Sequence, residues 1–205
     1  MPPGCRYCIL GICTLCILNC FPEKQSHSFT FSHHSIKLHY DPVALDMTAV
    51  DTLSIHYEKN VDRVYFFLHK SLHVERVGVG HQDFRLGEMS MNEVQQICQQ
   101  LDSNWRQIVE KSQIVVVYIP KSLYSEWIEV RYRGTIDLTE SPLAWYPVLP
   151  DVYSTFNLTM LLPCDYHVST LGTLRLEEAD DVWRLYQWEV NQQHSCCQLR
   201  VHESH

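Results

Sequence analysis

Nine cysteines and twelve histidines equip this 205-residue chain for thiolate, imidazole or redox chemistry, and their spacing decides what they can do. Cys5-x-x-Cys8 and Cys13-x-x-Cys16 have the spacing of a four-thiolate zinc or iron–sulfur site. The residues around them are Ile, Leu, Gly, Ile, Thr and Leu, without the polar turns that would aim four thiolates at one ion. His194, Cys196, Cys197, His202 and His205 form a second group of soft ligands near the C-terminus, again with no turn or supporting shell to set a geometry. A metal-binding or redox protein built on these terminal clusters is therefore the alternative function. His27, His33 and His34 read as solvated linker residues, and His69 and His73 as surface residues. No G-x-S-x-G nucleophile elbow occurs. A net charge of −8 without clustered Lys and Arg argues against nucleic acid as a partner.

The elements that must position any site begin after an unusual N-terminus. Residues 1–20 carry Arg6, then an apolar run from Tyr7 to Leu18, then Asn19 and Cys20. That order is the anatomy of a secretory signal, and the run is shorter than the ~20 apolar residues a membrane-spanning helix needs. Ile17-Leu18-Asn19-Cys20 is similar to a bacterial lipoprotein cleavage site, which makes Cys20 the candidate lipidation residue and the cell envelope the expected location, reached by export and a lipid anchor in the membrane. Residues 21–34 are polar and read as a linker, residues 35–190 as one β-domain, and residues 191–205 as a flexible tail. The remaining cysteines, Cys98 and Cys164, are too few and too scattered for a disulfide framework.

From Ser35 the apolar residues alternate with polar ones: Ile36, Leu38 and Tyr40, then Leu53, Ile55 and Tyr57. A period of two marks half-buried strands. Val64–Leu68 and Leu72–Val79 continue the pattern, Ile128, Val130 and Tyr132 repeat it, and so do Phe156, Leu158, Met160 and Leu162. Gln113–Ile119 is continuously apolar and predicts a strand covered on both faces. Val182–Val190 is the last expected strand. Ser90-x-x-Glu93 is a capping box, and Val94, Ile97, Cys98, Leu101, Trp105, Ile108 and Val109 follow at helical spacing, so one helix is expected from Met91 to Glu110 with Cys98 as an inert core thiol. The fold class is mostly β: a β-sandwich or saddle of antiparallel sheets, about nine strands by the count of periodic segments, with one inserted α-helix.

Pro147 and Pro150 lack N–H donors and fix φ, so the chain between the strands around Ile128 and Phe156 must form an open connection. Trp145 and Tyr146 bring large apolar surfaces to it, as a core anchor or one wall of a cleft.

Several of these segments resemble the N-terminal β-domain of the aminopeptidase N family of zinc metallopeptidases. His39-Tyr40-Asp41 resembles the family's opening strand. Trp127-Ile128-Glu129-Val130-Arg131-Tyr132-Arg133-Gly134-Thr135-Ile136 is similar to its strand ending in Tyr-x-Gly-x-Ile, and Trp145-Tyr146-Pro147 to its aromatic-aromatic-Pro turn. Ser154-Thr155-Phe156-Asn157-Leu158-Thr159, followed by Pro163, Tyr166, Val168, Ser169 and Gly172, follows the same succession. The chain departs from the family at Val148, Leu149 and Pro150, where a cysteine and an acidic residue are usual, and at the helical segment 91–110, which looks like an insertion. The family's zinc motif H-E-x-x-H is absent, since His202-Glu203-Ser204-His205 has the wrong spacing. The resemblance thus implies a non-catalytic module with no cofactor of its own, because zinc would belong to a catalytic domain. That domain, or a peptide ligand, is the implied partner, and a split or truncated peptidase is one form this could take. In the family the loop before the aromatic-Pro turn supplies an acidic or amide side chain for a substrate's amino group. Glu140 occupies that region here, and with Trp145 and Tyr146 it completes the candidate substrate-binding set.

Overall fold

Alternation of buried and exposed side chains organises the molecule. The computed structural model describes residues 28–57, 61–120, 125–140, 143–194 and 199–203. Among them are thirteen strands and two helices. Strand β1 (Phe29–Asp41) and β2 (Asp46–Tyr57) form an antiparallel hairpin. Its turn is closed by the Asp41 carboxylate, which accepts from the N–H groups of Val43 and Ala44 at 2.9 and 3.1 Å. β3 (Arg63–His69), β4 (Leu72–Val79), β5 (Gln82–Asp83) and β6 (Arg85–Gly87) follow, then α1 (Met91–Gln100), α2 (Ser103–Glu110) and β7 (Ser112–Tyr118). The remainder is β8 (Trp127–Thr135), β9 (Ser154–Pro163), β10 (Tyr166–Thr170), β11 (Thr173–Ala179), β12 (Trp183–His194) and β13 (Leu199–Glu203).

Eight strands make one sheet in the order β11-β12-β9-β1-β2-β8-β4-β5, and two small sheets, β3-β7-β6 and β10-β13, complete the mostly-β fold. Ile36, Leu38, Met47, Leu53, Ile128, Val130, Leu158, Met160 and Leu162 point from the large sheet into a core shared with Val64, Phe66, Leu68 and Val117 of the three-stranded sheet. The apolar run of β7 is covered on both faces, with Val115, Val116 and Val117 all buried.

Four features differ from the sequence reading. The sheet is not wholly antiparallel, for β1 and β9 pair in parallel from His33↔Thr155 to His39↔Leu161. A parallel neighbour needs a long connection, and the chain between them provides one. β1 begins at Phe29, so residues 29–34 are strand and not linker. Phe29 and Phe31 are buried, and a bulge between Phe31 and His33 shifts the alternation so that His34 turns inward. The tail expected from 191 is partly strand, since β12 runs to His194, and in β13 Val201 is buried opposite Val168 of β10 and Leu199 opposite Thr170. The single helix is two: Leu101 is extended, and the Asp102 carboxylate accepts from the Trp105 N–H at 2.9 Å, capping α2. Aspartate competes for backbone donors inside a helix and is favoured at its start.

The glycines quoted in the resemblance have steric reasons. At Gly134, φ is +155° and an added Cβ would lie 2.2 Å from the Ser71 carbonyl oxygen; at Gly172, φ is +107° and it would lie 2.6 Å from that of Glu189. Gly134→Ala is therefore expected to lower stability by about 2 kcal/mol or more, read as a lower urea midpoint; an unchanged midpoint would refute the packing described. The capping box at α1 also makes a pH prediction. Ser90's hydroxyl and backbone N–H, and then the Arg63 guanidinium, hold the Glu93 carboxyl down at about 2 from an ordinary 4.5. A depressed carboxyl stabilises the folded chain above its unfolded value and loses that contribution as pH falls through the folded one. Helicity is expected to decline on acidification from pH 4.5 to 2 more steeply in the native chain than in Glu93→Gln, followed by circular dichroism.

Candidate functional site

The proline-rich connection after β8 begins with a turn in which Asp137 accepts from the Thr139 N–H and hydroxyl at 2.9 and 2.6 Å. Glu140 follows on that turn. Its carboxylate lies 2.9 Å from the Lys111 ammonium at the end of α2, with both side chains about half exposed (57% and 49%). The helical segment thus brings a primary ammonium to the one carboxylate expected to hold a substrate amine, and an incoming amine would have to displace it. Nearby, His69 Nδ1 lies 2.8 Å from Ser71 Oγ; burial first, and then the charges of Lys111 and Lys70, lower its pKa. His69 is half-buried and His73 exposed.

Trp145 and Tyr146 lie elsewhere. They are 3% and 1% exposed, with ring centroids 4.8 Å apart, and neither offers a face to solvent. The connection is held to the edge of β3, where Phe67 and Val148 exchange backbone hydrogen bonds of 2.9 and 3.0 Å and the His69 N–H donates to the Ala144 carbonyl at 2.7 Å. Proline nitrogens at 147 and 150 leave the connection few donors, and of those that remain the Val148 N–H goes to β3.

Tyr146 packs edge-on against a residue read as a linker histidine. His34 lies 5.1 Å from the Tyr146 ring and stacks on Phe156 at 4.9 Å, and its Nδ1 is 2.8 Å from Asp51 Oδ2. Both partners are sealed in, His34 at 2% and Asp51 at 0% exposure. Asp51 Oδ1 and the Tyr132 hydroxyl have no hydrogen-bond partner among the described residues. Burial, and then the charge of Asp51, push the Tyr132 phenol well above its usual pKa. The cavity touching this cluster, bounded by Ser154 and His194 among others, has a volume of about 10 Å³, room for about one water and no substrate. Ser154 spends its hydroxyl proton on the Phe31 carbonyl at 2.8 Å. The cluster is thus a polar core. Its sequence signal was the aspartate at position 51, at an inward place in an otherwise apolar alternation.

A larger concavity is built by the helical segment. A groove of about 730 Å³ runs between α1, α2, β7 and the chain after β6. Val94 and Cys98 line it from α1, Val109 from α2, Ile114 from β7, and Met89 from the connection to α1, with Glu88, Glu110 and Arg106 also on its lining. The apolar stripe expected to face the sheet is in fact divided. Ile97, Leu101, Trp105 and Ile108 are buried, while Val94, Cys98 and Val109 are only half-buried and face the groove. Cys98 is consequently a groove residue and not an inert core thiol.

Among the described residues no three His, Cys, Asp or Glu side chains form a metal-binding group. Cys5, Cys8, Cys13, Cys16, Cys20, Cys196, Cys197 and His205 lie outside the described residues. No described helix is long and apolar enough to cross a membrane.

No protein-family model matches the sequence, and no curated protein matches it. Solved structures do match the fold. The M1 zinc metallopeptidase of Deinococcus radiodurans is similar at a TM-score of 0.61 and 15% identity, over 88% of this chain and 43% of that one. A mutant of the same peptidase bound to a Tyr-Ser-Ala substrate gives 0.64 and 13%, over 85% and 42%. A two-domain M1 zinc metallopeptidase mutant bound to L-tryptophan gives 0.63 and 13%, over 86% and 43%. The class defined is thus a mostly-β domain with a fold found in M1 zinc metallopeptidases. This chain spans less than half the length of the peptidases it matches.

The buried pair generates a stability prediction. Removing one member leaves the other's buried polar atom without its hydrogen-bond partner, so Asp51→Ala is expected to lose about 1–3 kcal/mol. The double variant His34→Leu with Asp51→Leu should lose less than the sum of the two single leucine variants. Equilibrium urea unfolding measures both, and strictly additive losses would show that the two groups are not coupled.

Proposed function

We propose that this chain is a non-catalytic β module that resembles the N-terminal domain of a zinc aminopeptidase and acts as a structural or peptide- and protein-binding partner. The observation that carries the reading is the fold match: nearly all of this chain corresponds to less than half of an M1 peptidase. In keeping with this, the 205 residues contain no H-E-x-x-H pair of zinc ligands. The module's partner in this reading is a catalytic domain, and the split or truncated peptidase is its genetic form. An adjacent reading frame encoding H-E-x-x-H would support that form.

Glu140 has a defined place in the proposal. Its carboxylate is exposed, carries an ammonium already and lies on a hydrogen-bonded turn, so it is the group that would meet a peptide's free amine. Trp145 and Tyr146 then act by holding the connection in the core, not by touching ligand. Export and lipidation at Cys20 belong to the same proposal and rest on the apolar run from Tyr7 to Leu18; mass measurement of the mature N-terminus tests them.

The decisive assay is turnover of aminoacyl-p-nitroanilides by the purified chain with added zinc. Turnover is expected to equal the protein-free background, and zinc-dependent hydrolysis would overturn the non-catalytic reading.

A further inference from the structure

The groove beside the helices is open, largely apolar and marginally acidic. Val94 and Cys98 stand four residues apart on α1 and so share one face, and Val109 and Glu110 extend that lining along α2. The exposed side chains of Leu86 (43%) and Met91 (73%) lie in the adjoining β6 and the first residue of α1. Of the lining charges, Glu88 and Glu110 have no ion-pair or hydrogen-bond partner among the described residues. Arg106 is the single lining cation, and its Nε is spent on the Leu101 carbonyl at 3.1 Å. By contrast, other cations near carboxylates are paired, as Arg63 is with Glu93 and Lys111 with Glu140. The groove therefore presents apolar walls with two free carboxylates, on a chain of net charge −8.

We infer that this groove binds an extended peptide segment whose aliphatic side chains fill it and whose flanking Lys or Arg residues meet Glu88 and Glu110. The volume, about 730 Å³, accommodates several aliphatic side chains. The apolar contact supplies affinity, and the carboxylates set charge preference and association rate. An aliphatic carboxylate such as a fatty acid is the less favoured occupant, because two carboxylates face one guanidinium already engaged at Nε. The inference rests on the peptide-binding reading above and assigns it a place distinct from Glu140.

The test is fluorescence anisotropy of the full chain with a labelled peptide of short aliphatic core flanked by lysines, beside its glutamate-flanked counterpart and palmitate as competitor. Saturable binding of the lysine peptide, weakened by salt, is expected. Glu88→Gln with Glu110→Gln should weaken it about tenfold, and Cys98→Phe, which intrudes on the apolar wall of the groove, should also weaken it, with melting curves confirming that each variant is folded. Should Cys98→Phe fail to fold, the surface pair of glutamine substitutions decides alone. Absence of saturable binding, equal affinity for the glutamate peptide, unchanged affinity in the folded variants, or displacement by palmitate would overturn the inference. None of these outcomes bears on zinc-dependent turnover, so the non-catalytic reading stands or falls separately.

Discussion

Strand β1 is the constraint on which the large sheet depends, because it is hydrogen-bonded to β2 on one side and β9 on the other. Without it the sheet would separate into β11-β12-β9 and β2-β8-β4-β5. Its bulge at Phe31 and His33 is the second element of that control. Phe29 and Phe31 face inward before it, and His34, Ile36, Leu38 and Tyr40 face inward after it. A one-residue shift exchanges every side chain between faces, and here it places an imidazole in the core beside Asp51.

That imidazole sets the surroundings of the proline-rich connection. His34 stacks on Phe156 of β9, meets Tyr146 of the connection edge-on and bonds to Asp51 of β2. A buried hydrogen-bonded pair of this kind gives little net stability compared with apolar residues of the same shape, yet it is costly to break. Its effect is positional: three segments distant in sequence converge on one ring. The connection is further fixed by the Phe67 and Val148 backbone exchange. Tyr146 and Trp145 are consequently framework, and the groove of about 730 Å³ lies at the helices.

The helical segment does two things for the surface. Its C-terminal Lys111 pairs with Glu140, and its half-buried flank opens the groove. Both follow from the break at Leu101 and Asp102, which turns the chain between α1 and α2 and divides one amphipathic stripe between core and groove. The segment thus leaves two unlike features at the surface: a carboxylate paired with an ammonium and an apolar trough with acidic edges.

Short-range pattern determined much of this protein from the sequence alone. The alternation at Ile36–Tyr40, Ile128–Tyr132 and Phe156–Leu162 marked strands, Ser90 and Glu93 marked the start of α1, and Gly134, Pro147 and Gly172 carried a resemblance that the fold comparison supports. Such features are legible because a strand or a cap depends on residues within a few positions of each other. The tertiary structure decided what distant partners decide. The parallel pairing of β1 with β9 is set by the path of a long connection, the inward turn of His34 by a bulge that composition does not reveal, and the strand character of Leu199–Glu203 by the presence of β10 beside it. The groove belongs to the same category: Val94, Cys98, Val109 and Ile114 read as one apolar stripe and a strand, and only the packing of two helices against β7 leaves space between them.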